Sequence, residues 1–354
     1  MDFVAETPIP ERLREPLRAA LRGERSDWPD LTTDELQTLV EHGVAPLVYA
    51  ATHLPQLRDE AIRAAAVEPL RAADLREVLA ALAANGVDAL VMKGSALAYD
   101  VYASPELRPR GDTDLLIAAS DIAPMRETMR ALGFEERLSS GDEHGVRQAI
   151  FVRRALVYDV HWSATNTPVF DALLRFDDLR RRAMTLPALG ARVLSHEDAL
   201  LLACVHRVAH HHDSDRLIWL ADIALLRDRM SRDEHARFWR MAAEGWVVAV
   251  CRRSIELANE WFSRPPAHLP EEWLTAQELA RAEPSRVFLD REITHGRVLM
   301  ANLQALGWRA RFRRLRQLAF PPAEFMRHSF GRRPLPLLYA WRALRGVRRL
   351  FRKV

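Results

Sequence analysis

The stretch of residues 87–117, VDALVMKGSALAYDVYASPELRPRGDTDLLI, constrains the fold more than any other part of the chain. Just upstream, Leu75, Val78, Leu79 and Leu82 recur at helical spacing, and Asn85-Gly86 ends that period. Residues 87–92 are then short, apolar and bounded by glycines, which predicts a buried strand, with a short helix over 95–101. A strand that runs into a helix through Lys93-Gly94-Ser95 gathers backbone N–H groups and the positive end of a helix dipole at one point, where a phosphate can be held. A second strand, residues 112–117, begins with Asp112-Thr113-Asp114. Carboxylates two apart in extended chain leave the same side of the strand. They repel unless a cation lies between them, and oxygen donors of this kind suit Mg²⁺ carrying a triphosphate.

Around this stretch the pattern is mostly helical. Residues 9–21, 36–51 and 56–84 read as helices, the second announced by Thr32-Thr33-Asp34-Glu35. Ser120-Asp121 caps a helix running to about Leu132, and residues 146–152 and 156–162 form two strands of a hairpin around Arg153-Arg154. From residue 186 to about residue 300 the pattern returns to helix. The expected architecture is α+β: a small mixed β-sheet core at 87–185, an N-terminal helical region at 1–86, a helical substrate-side domain at 186–306 and a basic C-terminal segment at 307–354. With 354 residues, 49% of them apolar and 28% charged, the composition is that of a soluble chain with a real core. No apolar run approaches the roughly 18 to 20 residues of a membrane span. The N-terminus has no signal-peptide pattern, and the only cysteines, Cys204 and Cys251, lie in apolar helical runs. A reducing cytoplasm is the expected location.

The downstream strand carries Asp159 and His161 on one face. Phosphoryl-type transfer is catalysed mainly by metal ions and positioned charges, so Asp112 and Asp114 would hold Mg²⁺ against the triphosphate. Asp159 would complete a second metal position or accept the proton of the attacking group. Lys93 and Lys353 are the only lysines among 51 basic residues, so a lysine directly before Gly94 stands out. Arg108 and Arg110, in the connector of residues 102–111, read as phosphate ligands or as surface charge. His161 assists proton transfer or binds substrate, or else is a structural histidine beside Trp162. In the run from His206 to Asp215, His206 and His210 lie four apart on one helix face, which admits zinc. No third ligand stands at a fixed offset, so they are expected to line the cleft opposite the sheet. Arg216, Trp219 and Asp222, spaced by three, brace adjoining helices or contact substrate.

The segments VMKGSALAYDVY, RPRGDTDLLI and VYDVHW, taken in this order, resemble the DNA polymerase β-like nucleotidyltransferase superfamily. Within it they are similar to the family of uncharacterised nucleotidyltransferases, as are RLIWLADIALL and FPPAEFMRHSF further on. The resemblance implies Gly94 and Ser95 at the triphosphate, Asp112 and Asp114 at the metals, and Asp159 as the third acidic residue. It implies two Mg²⁺ ions, with Mn²⁺ as a substitute, and an NTP donor. The activity to expect is transfer of an NMP to a hydroxyl, amine or phosphate of an unidentified small molecule or peptide, with release of pyrophosphate. Alternatives are a nucleotide-binding protein of the same fold without turnover, and transfer to RNA. Sixteen residues separate Ser95 from Asp112, more than the wider superfamily pattern usually has.

Net charge is +3, but residues 297–354 carry fifteen Arg and Lys against the single acid Glu324. That segment could meet nucleic acid, an anionic membrane surface, or the rest of the protein. With no nucleic-acid motif, nucleic acid is not favoured, and the expectation is a solvated face packed on the protein.

Overall fold

A computed structural model describes residues 7–139, 147–262, 274–321, 323, 326–327, 331 and 334–351. Val146, Glu324, Lys353 and most of the FPPAEFMRHSF stretch lie outside these residues.

The N-terminal part is four helices: α1 (Glu11–Leu21), α2 (Thr33–Glu41), α3 (Ala45–Thr52) and α4 (Arg58–Ala84). Thr32 caps α2 and Glu35 reaches back to the Thr32 backbone, the reciprocal arrangement that Thr-x-x-Glu encodes. The single helix expected over 36–51 is two, because Gly43 takes a left-handed φ of 71° between them.

Next come β1 (Leu90–Met92), α5 (Lys93–Asp100), β2 (Thr113–Leu116), α6 (Ile122–Ala131), β3 (Glu135–Ser139), β4 (Gln148–Arg153) and β5 (Leu156–His161). Two short helices, α7 (Pro168–Asp171) and α8 (Phe176–Arg182), lead to β6 (Met184–Leu186) and β7 (Ala191–Val193). The seven strands form one mixed sheet in the order β3-β4-β5-β2-β1-β7-β6. β1 is antiparallel to β2 and parallel to β7, and β2 is parallel to β5. The expected α+β architecture, a small mixed sheet flanked by helices, is therefore what the chain adopts. The sequence reading missed β3, β6 and β7. The β6–β7 hairpin belongs to the sheet although its second strand lies beyond residue 186, where helix alone was expected.

Alternation along the strands divides the interior. Val91, Leu115, Tyr158 and Val160 point to the back of the sheet, where Leu75, Val78 and Leu82 of α4 and Met125 and Met129 of α6 cover them. Leu90, Met92 and Leu116 point to the front, into a larger core shared with the N-terminal helices and the later ones. Arg153 pairs with Asp74 at 2.5 Å, and the Tyr158 hydroxyl donates to the same carboxylate at 2.7 Å, fastening α4 to the back. The later helices are α9 (His196–Ala209), α10 (Leu217–Arg229), α11 (Arg232–Glu244), α12 (Val248–Phe262), α13 (Ala276–Ala280), α14 (His295–Gln304), α15 (Trp308–Ala319) and a C-terminal helix, Leu335–Leu350. Among the described residues no helix is long and apolar enough to cross a membrane.

Candidate active site

β1 ends at Met92 in extended conformation, and Lys93 then takes a left-handed φ of 54° at the start of α5. A left-handed non-glycine residue costs about 1 kcal/mol. Here it turns the lysine back across the sheet, where its ammonium donates to Asp114 Oδ1 at 2.6 Å. Gly94 answers a separate demand: a Cβ there would lie 3.0 Å from the Arg108 guanidinium carbon. The Ser95 hydroxyl donates to the Asp112 carbonyl at 3.3 Å, tying the start of α5 to the start of β2.

The parallel register sets Asp114 beside Asp159, and His161 follows two residues later on the same face. His161 Nε2 lies 3.0 Å from Asp114 Oδ1 and 3.2 Å from Asp159 Oδ2. Ionised carboxylates only accept, so the geometry assigns the proton to Nε2. Gln148 donates to Asp159 Oδ2 at 2.9 Å, whereas Asp159 Oδ1 is buried and has no hydrogen-bond partner. Burial alone would push the Asp114 carboxyl up; the Lys93 charge and the His161 hydrogen bond overcome this and bring it to about 2. Burial likewise opposes charge on Lys93, but Asp114 outweighs it and holds the ammonium above the usual lysine range. Asp112 stands exposed at the mouth of the cleft. Partial desolvation and the neighbouring Asp114 charge push its carboxyl above the ordinary range. Three carboxylates thus face one lysine and one histidine, with a buried carboxylate oxygen left over, and that donor set fits a divalent cation. Among the described residues, Asp114, Asp159 and His161 form the group whose ligand atoms lie within 4.8 Å of one another. The histidine run downstream forms no such group.

These residues line a cleft of about 710 Å³ whose far wall is α9, α10 and the turn between them. His206 and His210 are stacked with ring centres 5.1 Å apart, His211 lies 4.0 Å from the Trp219 ring, and the Arg216 guanidinium lies 5.1 Å over that ring. Burial, with the Lys93 charge added to it, depresses His210 to about 3 and His211 to about 4, so this wall is aromatic and uncharged at its histidines near neutral pH. Left-handed residues His212 and Asp213 shape the turn. It is held by Arg207, fully buried, which pairs with Asp213 at 2.6 Å and donates to the Ser214 carbonyl at 2.9 Å.

Of the residues singled out from sequence, Lys93, Gly94, Arg108, Arg110, Asp112, Asp114, Asp159 and His161 all line this cleft. His206, His210, Arg216, Trp219 and Asp222 line it too, while Ser95 lies beneath it. Arg108 makes a bidentate pair with Asp222 at 2.8 and 2.7 Å, both buried, and Asp222 also accepts from the Tyr102 hydroxyl at 2.8 Å. Arg110 pairs with Glu68 of α4 at 2.5 Å. Both arginines are thereby engaged by protein carboxylates, and the connector between the two halves of the site is clamped to α4 and α10. Sequence reasoning missed Glu68 and Gln148. Gln148 was legible in principle, because hairpin pairing places it opposite His161 on the same face. Glu68 carries no such signal within a long charged helix.

No curated protein matches the sequence. Among solved structures, the solution structure of the antibiotic-resistance factor ANT(2'')-Ia aligns at 11% identity, over 50% of this chain and 91% of that one, with a TM-score of 0.38. Residues 25–263, more than half of the chain and the whole of the cleft described above, match the family described as uncharacterised nucleotidyltransferase, and the chain belongs to that family.

Proposed function

We propose that the protein is a metal-dependent nucleotidyltransferase that moves an NMP from an NTP to a hydroxyl, amine or phosphate of a small molecule or peptide, releasing pyrophosphate. The observation that carries this reading is the meeting of Asp114 and Asp159 on adjacent parallel strands, with a buried, unpartnered carboxylate oxygen, in a cleft that also contains the Lys93-Gly94 turn. Asp112, Asp114 and Asp159 would hold Mg²⁺ or Mn²⁺, and His161 donates its Nε2–H to the Asp114 and Asp159 carboxylates. When bound, such an ion supplies charge neutralisation at the triphosphate. Gly94 presents the start of α5 to phosphate oxygens, and Ser95 beneath it ties that turn to the Asp112 carbonyl. Lys93 has a proton-rich ammonium that can pass from Asp114 to a phosphate oxygen as the donor nucleotide enters. Attack by the acceptor on the α-phosphorus forms the new P–O or P–N bond and breaks the bond to pyrophosphate. Asp159, whose Oδ2 is already fixed by Gln148 and His161, would use Oδ1 either as a metal ligand or to take the acceptor's proton. The aromatic wall of His206, His210, His211 and Trp219 faces the sheet across the cleft and is the surface left for the acceptor or the base.

The test is Asp112→Asn and Asp114→Asn with labelled ATP, GTP, CTP and UTP and a pool of acceptors, product being read as added NMP by mass spectrometry. Each substitution is expected to lower transfer by at least ~10³-fold, about 4 kcal/mol, with folding retained. Transfer at the parental rate in either variant would sink the assignment.

A further inference from the structure

The two C-terminal helices are unlike the rest of the molecule. α15 buries none of its residues, and Trp308 and Phe312 are 75% and 69% exposed. Trp308, Phe312 and Leu315 are spaced by four and three, so they form one stripe, and Arg309, Arg311 and Arg316 fall on its two flanks. The C-terminal helix repeats the pattern. Its Leu338 is buried, whereas Leu337, Trp341 and Leu344 form an exposed stripe on another side. The Arg345 guanidinium lies 4.2 Å over the Trp341 ring. The helices are neighbours, joined where the Tyr339 hydroxyl donates to the Pro321 carbonyl at 2.6 Å. Eight of the thirteen large apolar side chains exposed among the described residues fall within residues 308–351, so the apolar exposure is concentrated here and not scattered.

We propose that this helix pair is a peripheral anchor that lies in the plane of an anionic membrane surface. Charge complementarity selects the occupant: residues 297–354 carry fifteen Arg and Lys against one acid, an excess that draws the segment to lipid phosphates and acidic headgroups. The apolar stripes select insertion over simple charge attraction. Tryptophan and phenylalanine settle at the boundary between headgroups and acyl chains, while the flanking Arg309 and Arg316 bury their stems and keep their guanidinium groups among the phosphates; Arg311 is held instead on the Leu303 carbonyl at 2.8 Å. Neither helix is long and apolar enough to cross a bilayer, so the contact is in-plane. A second copy is a poorer occupant, since two such faces would bring arginine flanks together with no acid on either stripe to pair them. The inference does not depend on the chemistry of the cleft.

The experiment is sedimentation of the full chain with vesicles of phosphatidylcholine alone, and of phosphatidylcholine with about one third phosphatidylglycerol. The chain is expected to sediment with the anionic vesicles, to shift its tryptophan emission to the blue, and to stay in solution with phosphatidylcholine alone. W308A/F312A/W341A, and separately Phe312→Glu at its exposed position, are expected to lower the bound fraction at least about tenfold with unchanged circular dichroism. Equal and low sedimentation with both vesicles overturns the proposal. So does full binding by the triple variant, which would leave charge alone as the cause. Salt-sensitive RNA binding without vesicle binding, or a dimer that the triple variant abolishes, overturns it in favour of the other occupants.

Discussion

Lys93 is a lysine in a chain that uses arginine at every other basic position but Lys353, and its surroundings give the reason. The ammonium sits 2.6 Å from Asp114 and 3.5 Å from His161 Nε2, on a left-handed residue with little room to manoeuvre. A compact point charge fits there, while a planar guanidinium with its fork of donors would not. The same geometry makes Lys93 a tethered cation in competition with any ion that Asp114 binds. Lys93→Ala is expected to tighten Mn²⁺ binding in the absence of nucleotide by about tenfold or more, read by titration calorimetry or by the Mn²⁺ paramagnetic signal, and to lower transfer. Unchanged Mn²⁺ affinity would count against that competition. Lys93→Arg is expected to behave as a loss-of-function change in the transfer assay, not as a conservative one.

At the scale of elements, the long helices and the two site-bearing strands were legible because their signals are local. Thr32 and Glu35 sit three apart, and the parity of Asp112, Asp114, Asp159 and His161 is carried within single strands. β6 and β7 were not legible: three residues each, with Arg192 inside β7, give no alternation to read, and β7 exists because β1 offers it a parallel edge. The partners of Arg108, Arg110 and Arg207 were hidden as well, since packing of the connector against α10 and α4 brings Asp222 and Glu68 to the first two, and the fold of the turn after α9 brings Asp213 to the third. Arg207 shows what such a pairing is worth. It is fully buried, and Arg207→Ala leaves Asp213 without its nearest cation, so a loss of about 3–5 kcal/mol is expected by urea denaturation. Because that pair holds the turn carrying His210 and His211, the aromatic wall should loosen first, seen as faster amide exchange through residues 206–219.

For the whole molecule, the buried histidines set the acid limit. In the fold, burial and then the Lys93 charge depress His210 from its ordinary 6.5 to about 3, and burial with the same lysine depresses His211 to about 4. The unfolded chain therefore takes up these protons first. The corresponding stability is fully present above about pH 6.5 and is lost as pH falls from there towards 4 and then 3. The urea midpoint is expected to drop between about pH 7 and about pH 5, and His210→Asn to drop less over the same interval. Equal pH dependence in the variant would remove His210 from the account.

The strand order also governs how the chain reaches this state. Asp114 meets Asp159 only when β2 docks on β5 across 45 positions of chain, a late event for pairing of this kind. Two carboxylates converging in a drying interface would resist that docking. Lys93, however, travels with β1, which pairs with β2 through Met92 and Asp114, so Asp114 has a counter-charge in place before its like-charged neighbour arrives. A chain without this lysine should refold more slowly while unfolding at a similar rate, and added divalent cation should restore the difference.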